Sequence, residues 1–169
     1  MVGPQGSGKT ALATKIVVDY HNGRKIYANY KINGLAYEHI DPLSIFTIVK
    51  DNPTYFNNSI IVIDELHVFF NAYDFFKEHV RQIVGFFSQL RKRNILLVAT
   101  VQYFKRIPIT IREQTKLIFD ISNYKDQSKK FYLDVSRVDG YYQEPIVQNV
   151  LIKDLPNYFK YYDTNYIIE

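Results

Sequence analysis

The fold of this chain is decided by Gly3-Pro4-Gln5-Gly6-Ser7-Gly8-Lys9-Thr10, a stretch with the pattern G-x-x-x-x-G-K-T. This pattern is typical of the phosphate-binding P-loop. The glycines let main-chain N–H groups approach phosphate oxygens, because no side chain stands in the way. Lys9 can place its charge on the β- and γ-phosphates, and the hydroxyl of Thr10 can bind Mg²⁺. The stretch therefore predicts a site for a nucleoside triphosphate and magnesium.

A helix is predicted directly after this loop, over residues 11–20. The phosphates would then also meet the positive end of a helix. We expect the nucleotide to be held by nine consecutive residues, namely Gly3, Pro4, Gln5, Gly6, Ser7, Gly8, Lys9, Thr10 and Ala11. The pattern also requires a strand before the loop. Only Met1 and Val2 precede Gly3, so this strand is predicted to be absent from the chain.

Length and composition describe one domain of 169 residues. We divide it into a nucleotide-binding core, residues 1–122, and a C-terminal hairpin and tail, residues 123–169. Its residues are 47% hydrophobic and 16% aromatic, which excludes a disordered chain. Because there is no cysteine, disulfides, zinc–thiolate sites and thiol catalysis are excluded, and a cytoplasmic location is expected. No apolar run approaches the ~20 residues of a membrane span.

The predicted strands are short and mostly apolar. Alternation indicates one strand over residues 25–32, and uninterrupted apolar runs indicate buried strands at residues 60–63, 95–101 and 117–121. Between them, a helix over residues 43–49 is predicted after Asp41 as N-cap and Pro42 at the first helical position.

A longer helix is predicted over residues 74–93. Its apolar residues recur every three or four positions, at Phe76, Val80, Ile83, Phe87 and Leu90. Strands that alternate with helices predict an α/β fold with a mainly parallel sheet.

The last third of the chain has a different pattern. Residues 130–138 and 145–152 flank Asp139-Gly140, which predicts an antiparallel hairpin. No chemistry is assigned to it, and we interpret it as an edge hairpin or an oligomer contact.

Asp64 and Glu65 directly follow the apolar run at residues 60–63. An aspartate delivered by such a strand is the Walker-B arrangement, in which the carboxylate holds Mg²⁺. We therefore predict Thr10 and Asp64 as the metal ligands. The neighbouring Glu65 can act as the base that activates water beside the γ-phosphate. The simpler alternative is that both carboxylates cap a helix.

Gln102 follows the run at residues 95–101. Since it stands in register with the two preceding motifs, we predict that its amide senses the γ-phosphate or orients the attacking water. The alternative is an ordinary loop residue.

Taken together, the motifs resemble the additional-strand, catalytic-glutamate division of P-loop ATPases, and within it the FtsK–HerA group. The resemblance covers residues 3–122 and is carried by the P-loop, Ile60 to Glu65, the helix end Leu90-Arg91-Lys92-Arg93, and Ile95 to Gln102. The chain is similar to zonula-occludens-toxin-like assembly ATPases of filamentous phages and to genome-packaging ATPases of archaeal viruses. This implies a three-layer P-loop NTPase with the P-loop strand at the centre of its sheet, here followed by the C-terminal hairpin.

The resemblance also implies ATP and Mg²⁺ as cofactors, and a ring of identical subunits with ATP at their interfaces. In such rings an arginine from the neighbouring subunit reaches the γ-phosphate. Arg91, Arg93 and Arg112 are candidates, and we favour Arg112, because the first two also suit the end of a helix. A capsid or virion-assembly partner is implied as well. Phage assembly relatives carry a membrane-spanning helix that this sequence does not show, which favours the packaging type and, for a viral chain, the host cytoplasm.

The formal net charge of +4 fits a nucleic-acid partner without demanding one. Between residues 91 and 116, seven cations stand against one carboxylate: Arg91, Lys92, Arg93, Lys105, Arg106, Arg112 and Lys116. Such residues on one surface would contact DNA phosphates, with Tyr103 and Phe104 stacking on bases. A solvated basic face explains them equally well. The histidines lack metal-ligand spacing and are interpreted as structural or surface residues: His21, His39, His67 and His79.

We therefore expect an ATP-hydrolysing motor that translocates or packages nucleic acid, in viral DNA packaging or virion assembly. One alternative is a small-molecule P-loop kinase, which needs an arginine-bearing lid that the sequence does not show. Another is an interaction module that binds nucleotide without turnover. The presence together of Lys9, Thr10, Asp64 and Glu65 argues against it.

Overall fold

A four-stranded parallel sheet forms the centre of the structure, which is a computed structural model that describes residues 1–74, 78–122, 131–137 and 146–163. The strand order is β2-β1-β3-β4. Their bounds are β1 Lys25–Ala28, β2 Glu38–His39, β3 Ser59–Ile63 and β4 Leu96–Ala99. The prediction of an α/β fold with a mainly parallel sheet is therefore confirmed.

Helices cover both faces of this sheet. The α-helices are α1 Lys9–Tyr20, α2 Ile45–Asp51, α3 Leu66–Phe69, α4 Glu78–Phe87 and α5 Ile109–Glu113. Short 3-10 helices span Pro42–Ser44, Ala72–Asp74, Phe104–Arg106 and Leu155–Tyr161. The predicted N-cap is confirmed, because the Asp41 carboxylate accepts a 2.9 Å hydrogen bond from the N–H of Leu43. It caps the 3-10 helix Pro42–Ser44, and α2 follows from Ile45 without a side-chain cap of its own.

β3 is buried along its whole length, as its β-branched sequence predicts. Its side chains alternate between the two helical layers. Ile61 and Ile63 join one core with α2 and α4, whereas Ile60 and Val62 join another with α1. The three layers leave the carboxyl end of β3 as the place where polar side chains collect.

A second sheet contains the C-terminal strands, in the order β5-β6-β7. Its strands are β5 Leu117–Ser122, β6 Phe131–Arg137 and β7 Ile146–Ile152, and all its pairings are antiparallel. The predicted pairing of the two hairpin strands is confirmed, while Asp139-Gly140 lies outside the described residues. Residues 117–121 form the predicted strand, but it pairs with β6 in this antiparallel sheet and not with a strand of the parallel one.

Val2 connects the two sheets immediately before the P-loop. It forms parallel bridges with Val101, beyond the end of β4, and with Asp120 in β5. Its N–H donates to the carbonyl of Phe119 at 2.7 Å, and its carbonyl accepts from Ile121 at 2.9 Å. A single residue thus lies where the resemblance places a central strand.

β4 differs from its prediction as a fully buried strand. Leu96 is 37% exposed, and Leu97 and Ala99 are half-buried. On one side of β4, β3 is its neighbour along the whole strand, whereas on the other side only its end is bonded, where the N-terminus of Met1 donates to the carbonyl of Ala99 at 2.6 Å. An apolar run does not by itself distinguish an edge strand from a central one.

The long helix predicted over residues 74–93 is shorter in the structure. α4 ends at Phe87, because Gln89 and Leu90 then bond to carbonyls three residues back, at 2.9 and 3.3 Å. Ile83 and Phe87 are buried as predicted, and Leu90 packs against the same core. Phe76 and the side chain of Val80 lie outside the described residues.

The strand predicted over residues 25–32 is also shorter, since β1 ends at Ala28. The next residue, Asn29, uses its side chain to bond the backbone of Asp64. The chain leaves the sheet where this polar contact begins.

Candidate active site

The glycine loop has a backbone that ordinary residues cannot follow. Gly3 has φ +151°, and Gly8, at the start of α1, has φ +94°. A Cβ on Gly3 would lie 2.8 Å from Oγ of Ser7 and 2.9 Å from the carbonyl of Ile121. Glycine is therefore required at Gly3 by both conformation and space.

Lys9 is 5% exposed, although it is charged. Its Nζ donates a 3.0 Å hydrogen bond to the carbonyl of Pro4, which folds the loop around the ammonium group. Nearby, the buried Oγ of Ser7 has no hydrogen-bond partner among the described residues. A buried cation and an unpaired hydroxyl inside a loop of this shape suit the oxygens of a phosphate chain.

Thr10 and Asp64 meet although they are 54 residues apart in the chain. The Thr10 hydroxyl lies 3.2 and 3.1 Å from the two carboxylate oxygens of Asp64. Hydroxyl and carboxylate oxygens are the hard ligands that Mg²⁺ prefers, so the residues present fit this ion. When bound, Mg²⁺ would neutralise charge on the β- and γ-phosphate oxygens.

Glu65 lies against the loop lysine. Its Oε1 is 3.9 Å from Nζ of Lys9, and its Oε2 is 3.3 Å from Nδ1 of His67. Its backbone is left-handed, with φ +54°, which is uncommon outside glycine. Strain of this kind is frequent at functional sites. The side chain of Glu65 is 23% exposed, while its Oε2 is buried and has no hydrogen-bond partner among the described residues.

His67 belongs to this site, which our sequence interpretation as a structural or surface residue missed. It is 7% exposed and directly contacts the carboxylate of Glu65. Burial lowers the pKa of the imidazole, while the charge of Glu65 acts in the opposite direction. The sequence feature that could have revealed His67 is its position, two residues after Glu65. Within the described ranges, no group of three His, Cys, Asp or Glu residues could hold a metal ion.

Asn29 and Thr100 are two further site residues that sequence reasoning missed. The Asn29 amide accepts from the N–H of Asp64 at 2.7 Å and donates to its carbonyl at 3.0 Å. The Thr100 hydroxyl lies 2.5 Å from Oδ1 of Asp64 and 2.9 Å from the N–H of Glu65. Both residues directly follow strands that flank β3, and this shared position could have revealed them.

Gln102 is placed at the same end of the sheet by its backbone neighbours. The preceding residue, Val101, pairs with Val2 and donates to the carbonyl of Met1 at 2.9 Å, directly before the P-loop. Gln102 itself is half-buried. Its role toward the γ-phosphate stays a prediction.

The arginines proposed to act on a neighbouring subunit lie in different places. Arg93 bonds Gln89 and the carbonyl of Pro53, and its own carbonyl accepts from Asn58 at the opposite end of β3 from Asp64. Arg112, in α5, is half-buried, and its Nε has no hydrogen-bond partner among the described residues.

The seven cations between residues 91 and 116 are divided by β4. One subset precedes the strand and contains Arg91, Lys92 and Arg93; the other follows it and contains Lys105, Arg106, Arg112 and Lys116. In the second subset, the Arg106 guanidinium lies 4.9 Å from the ring centre of Tyr103, which is 60% exposed.

The fold and the glycine loop define a P-loop NTPase. The family model of the zonular occludens toxin (Zot) matches residues 43–165. The chain therefore belongs to the Zot family, as the resemblance of its motifs predicted. A search of curated protein sequences gave no match.

Several solved structures share this fold at low sequence identity. The N-terminal domain of zonular occludens toxin from Neisseria meningitidis has a TM-score of 0.70 at 15% identity, with 96% of each chain covered. The genome packaging NTPase B204 from Sulfolobus turreted icosahedral virus 2, in complex with ATP-gammaS, has 0.59 at 12%, covering 90% of this chain and 94% of that one. The flagellar accessory protein FlaH from Methanocaldococcus jannaschii has 0.55 at 14%, covering 89% and 87%.

In the part of the chain that the structure describes, no helix has the length and apolar character needed to cross a membrane.

Proposed function

We propose that this protein is an ATP-hydrolysing motor that translocates or packages nucleic acid, in viral DNA packaging or virion assembly. The observation that carries the proposal is the meeting of Lys9 and Thr10 with Asp64 and Glu65 at the carboxyl end of β3. These four residues supply a phosphate-binding cation, two metal ligands and a base.

Each residue has a definite task in the hydrolysis. Lys9 and the loop N–H groups hold the phosphates, while Thr10 and Asp64 hold Mg²⁺. Glu65 orients a water molecule and accepts its proton as the water oxygen bonds to the γ-phosphorus. The bond from that phosphorus to the β–γ bridging oxygen breaks, so ADP and phosphate leave. Gln102 senses the γ-phosphate, and Arg112 of a neighbouring subunit stabilises its charge.

The nucleic-acid part of the proposal is supported by two observations. The fold is shared with a viral genome packaging NTPase that was solved with ATP-gammaS. In addition, the cations after β4 accompany an exposed Tyr103 whose ring stacks with Arg106, which suits phosphate contact and base stacking. We further propose a homo-oligomeric ring, a capsid or virion-assembly partner, and a cytoplasmic location, in the host if the chain is viral.

The test measures phosphate release from ATP with Mg²⁺, with and without single- and double-stranded DNA, alongside the mass of the protein in solution. We expect DNA to stimulate release in the oligomeric fractions, and a Lys9→Ala variant to show the contaminating background. Absence of hydrolysis in every assembly state contradicts the proposal. Transfer of labelled phosphate to a nucleoside or nucleotide favours the kinase alternative instead.

A further inference from the structure

We infer that Thr100 is a positioning residue that orients the Asp64 carboxylate and the Glu65 backbone as one unit. The inference rests on the proposed ATPase function and names a residue to which neither the sequence motifs nor the comparisons assign a role. Thr100 follows β4 directly and is fully buried, at 0% exposure. Its side chain therefore acts within the site and not at the surface.

The direction of each Thr100 hydrogen bond follows from the chemistry of its partners. The backbone N–H of Glu65 can only donate, so the Thr100 oxygen accepts that bond, at 2.9 Å. The single hydroxyl hydrogen is then free to point at Oδ1 of Asp64, 2.5 Å away. A hydroxyl that accepts one bond while donating another ties the two carboxylate residues into a defined geometry.

The Asp64 carboxylate has a second hydroxyl neighbour besides Thr100. Thr10 also points its hydroxyl at both Asp64 oxygens, at 3.2 and 3.1 Å. Binding of Mg²⁺ by Thr10 and Asp64 would engage that hydroxyl as a ligand. The bond from Thr100 does not depend on the ligands, so it keeps the carboxylate oriented while the metal site is used. Residues in this outer position tune the metal through its ligands.

The backbone of Thr100 adds a second connection. Its N–H donates to the carbonyl of Ile63 at 3.0 Å, and its carbonyl accepts from the N–H of Leu66 at 2.9 Å. Together with the hydroxyl, Thr100 thus contacts four consecutive residues, 63 to 66.

The experiment compares Thr100→Val, which keeps the shape and both backbone bonds but removes the hydroxyl, with Thr100→Ser, which restores it. A Thr100→Ala variant serves if the valine does not fold. The control is Ser59→Ala, which removes a buried 2.5 Å bond from Ser59 Oγ to the carbonyl of Phe56 at the start of β3, the end opposite to Asp64. All variants are compared with the wild type in thermal unfolding.

Two readouts are needed, and both use the full chain. The first is the Mg²⁺ concentration that gives half-maximal binding of a non-hydrolysable ATP analogue; the second is the kcat and KM of ATP hydrolysis. We expect Thr100→Val to raise the first and lower kcat, each on the order of 10- to 100-fold, with KM at saturating Mg²⁺ little changed. Thr100→Ser recovers most of both, and Ser59→Ala changes neither beyond its effect on the unfolding temperature.

The outcomes separate this inference from the proposed function. A wild type that binds the analogue with a Thr100-dependent Mg²⁺ midpoint, but releases no phosphate, supports the inference and contradicts the motor. A wild type that hydrolyses ATP while Thr100→Val and Thr100→Ala keep its Mg²⁺ midpoint and kcat overturns the inference. Failure of Thr100→Ser to recover either quantity also overturns it, because the hydroxyl would then not be the cause.

Discussion

Nζ of Lys9 lies 3.9 Å from Oε1 of Glu65, so the buried loop lysine and the glutamate after β3 face each other across the site. A single carboxylate is thereby held between the cation that binds phosphates and His67 on its other side. Glu65 is thus in contact with both the phosphate-binding lysine and the buried imidazole.

Glu65→Gln is expected to bind ATP and to lose its turnover. The amide keeps the size of the side chain but accepts no proton from water, and general-base catalysis contributes about 10²- to 10⁴-fold. We expect kcat to fall by that factor while the affinity for ATP is retained, as measured by phosphate release and nucleotide binding. Wild-type turnover in this variant would show that Glu65 is not the base.

Gly3→Ala is expected to destabilise the loop and abolish nucleotide binding. The added Cβ would meet the Ile121 carbonyl, a backbone atom, at 2.9 Å, so the sheet itself must shift. The matched control is Gly23→Ala, which is also left-handed at φ +73° but has nothing within 4 Å of the new atom. It should cost only the conformational penalty of about 1–2 kcal/mol. If Gly3→Ala and Gly23→Ala lose the same free energy of unfolding in urea, the contact of the new Cβ with Ile121 is not the cause of the loss.

Asn29→Ala is expected to lower the free energy of unfolding by about 1–3 kcal/mol, because it leaves both backbone groups of Asp64 without their partner. Hydrolysis should fall as well, since Asp64 loses one of its supports. Asn33→Ala is the comparison, because its amide makes one exposed bond of 3.5 Å to Lys160. We expect that variant to remain within about 0.5 kcal/mol of the wild type. Similar losses from both asparagines would contradict the role of Asn29.

His67 is expected to make the folded protein sensitive to acid. Burial lowers the pKa of its imidazole below 6.5, so at lower pH the unfolded chain binds more protons than the folded one. The stability from this residue is complete above about pH 6.5 and is lost as the pH falls through the folded value. The charged groups that act on the imidazole are Glu65, Arg106, Lys9 and Asp64.

Unfolding temperatures measured between pH 5 and 8 test this expectation. The wild type should lose stability on acidification more steeply than His67→Gln, which cannot titrate. Parallel curves for the two proteins would show that His67 does not cause the slope.

Arg112 is expected to act across a subunit boundary. Alone, Arg112→Ala and Glu65→Gln should each be nearly inactive, since a trans-acting arginine contributes 10³- to 10⁵-fold in the GTPase cases. Mixed and reassembled, some sites would join an intact Glu65 to an intact Arg112 from the neighbour, and phosphate release should partly return. A mixture no more active than its components would exclude action in trans by this residue.

Sequence reasoning succeeded where one local pattern dictates one local structure. The P-loop, the buried β3, the Asp41-capped turn before α2 and the paired hairpin strands all follow from short-range rules. It failed where the outcome depends on a neighbour in space. Leu96 belongs to an apolar run that predicts burial, yet it is 37% exposed. The run alone does not reveal the place of β4 in the sheet. Likewise, β5 looks like any buried strand, and only its pairing with β6 assigns it to the antiparallel sheet.

The same distinction applies to the site. Lys9, Thr10, Asp64 and Glu65 were predicted from their motifs, and the structure brings them into contact. Asn29, His67 and Thr100 carry no motif of their own. Asn29 and Thr100 matter because parallel strands end at one rim of the sheet, so their importance depends on strand order. His67 lies in α3 and reaches the site because it follows Glu65 by two residues.

Val2 gives the molecule a mechanical property, since it bridges both sheets and is joined directly to the first glycine of the loop. The P-loop therefore begins one residue after a backbone connection between the two sheets. A displacement of β5 would therefore move the first glycine of the loop through Val2.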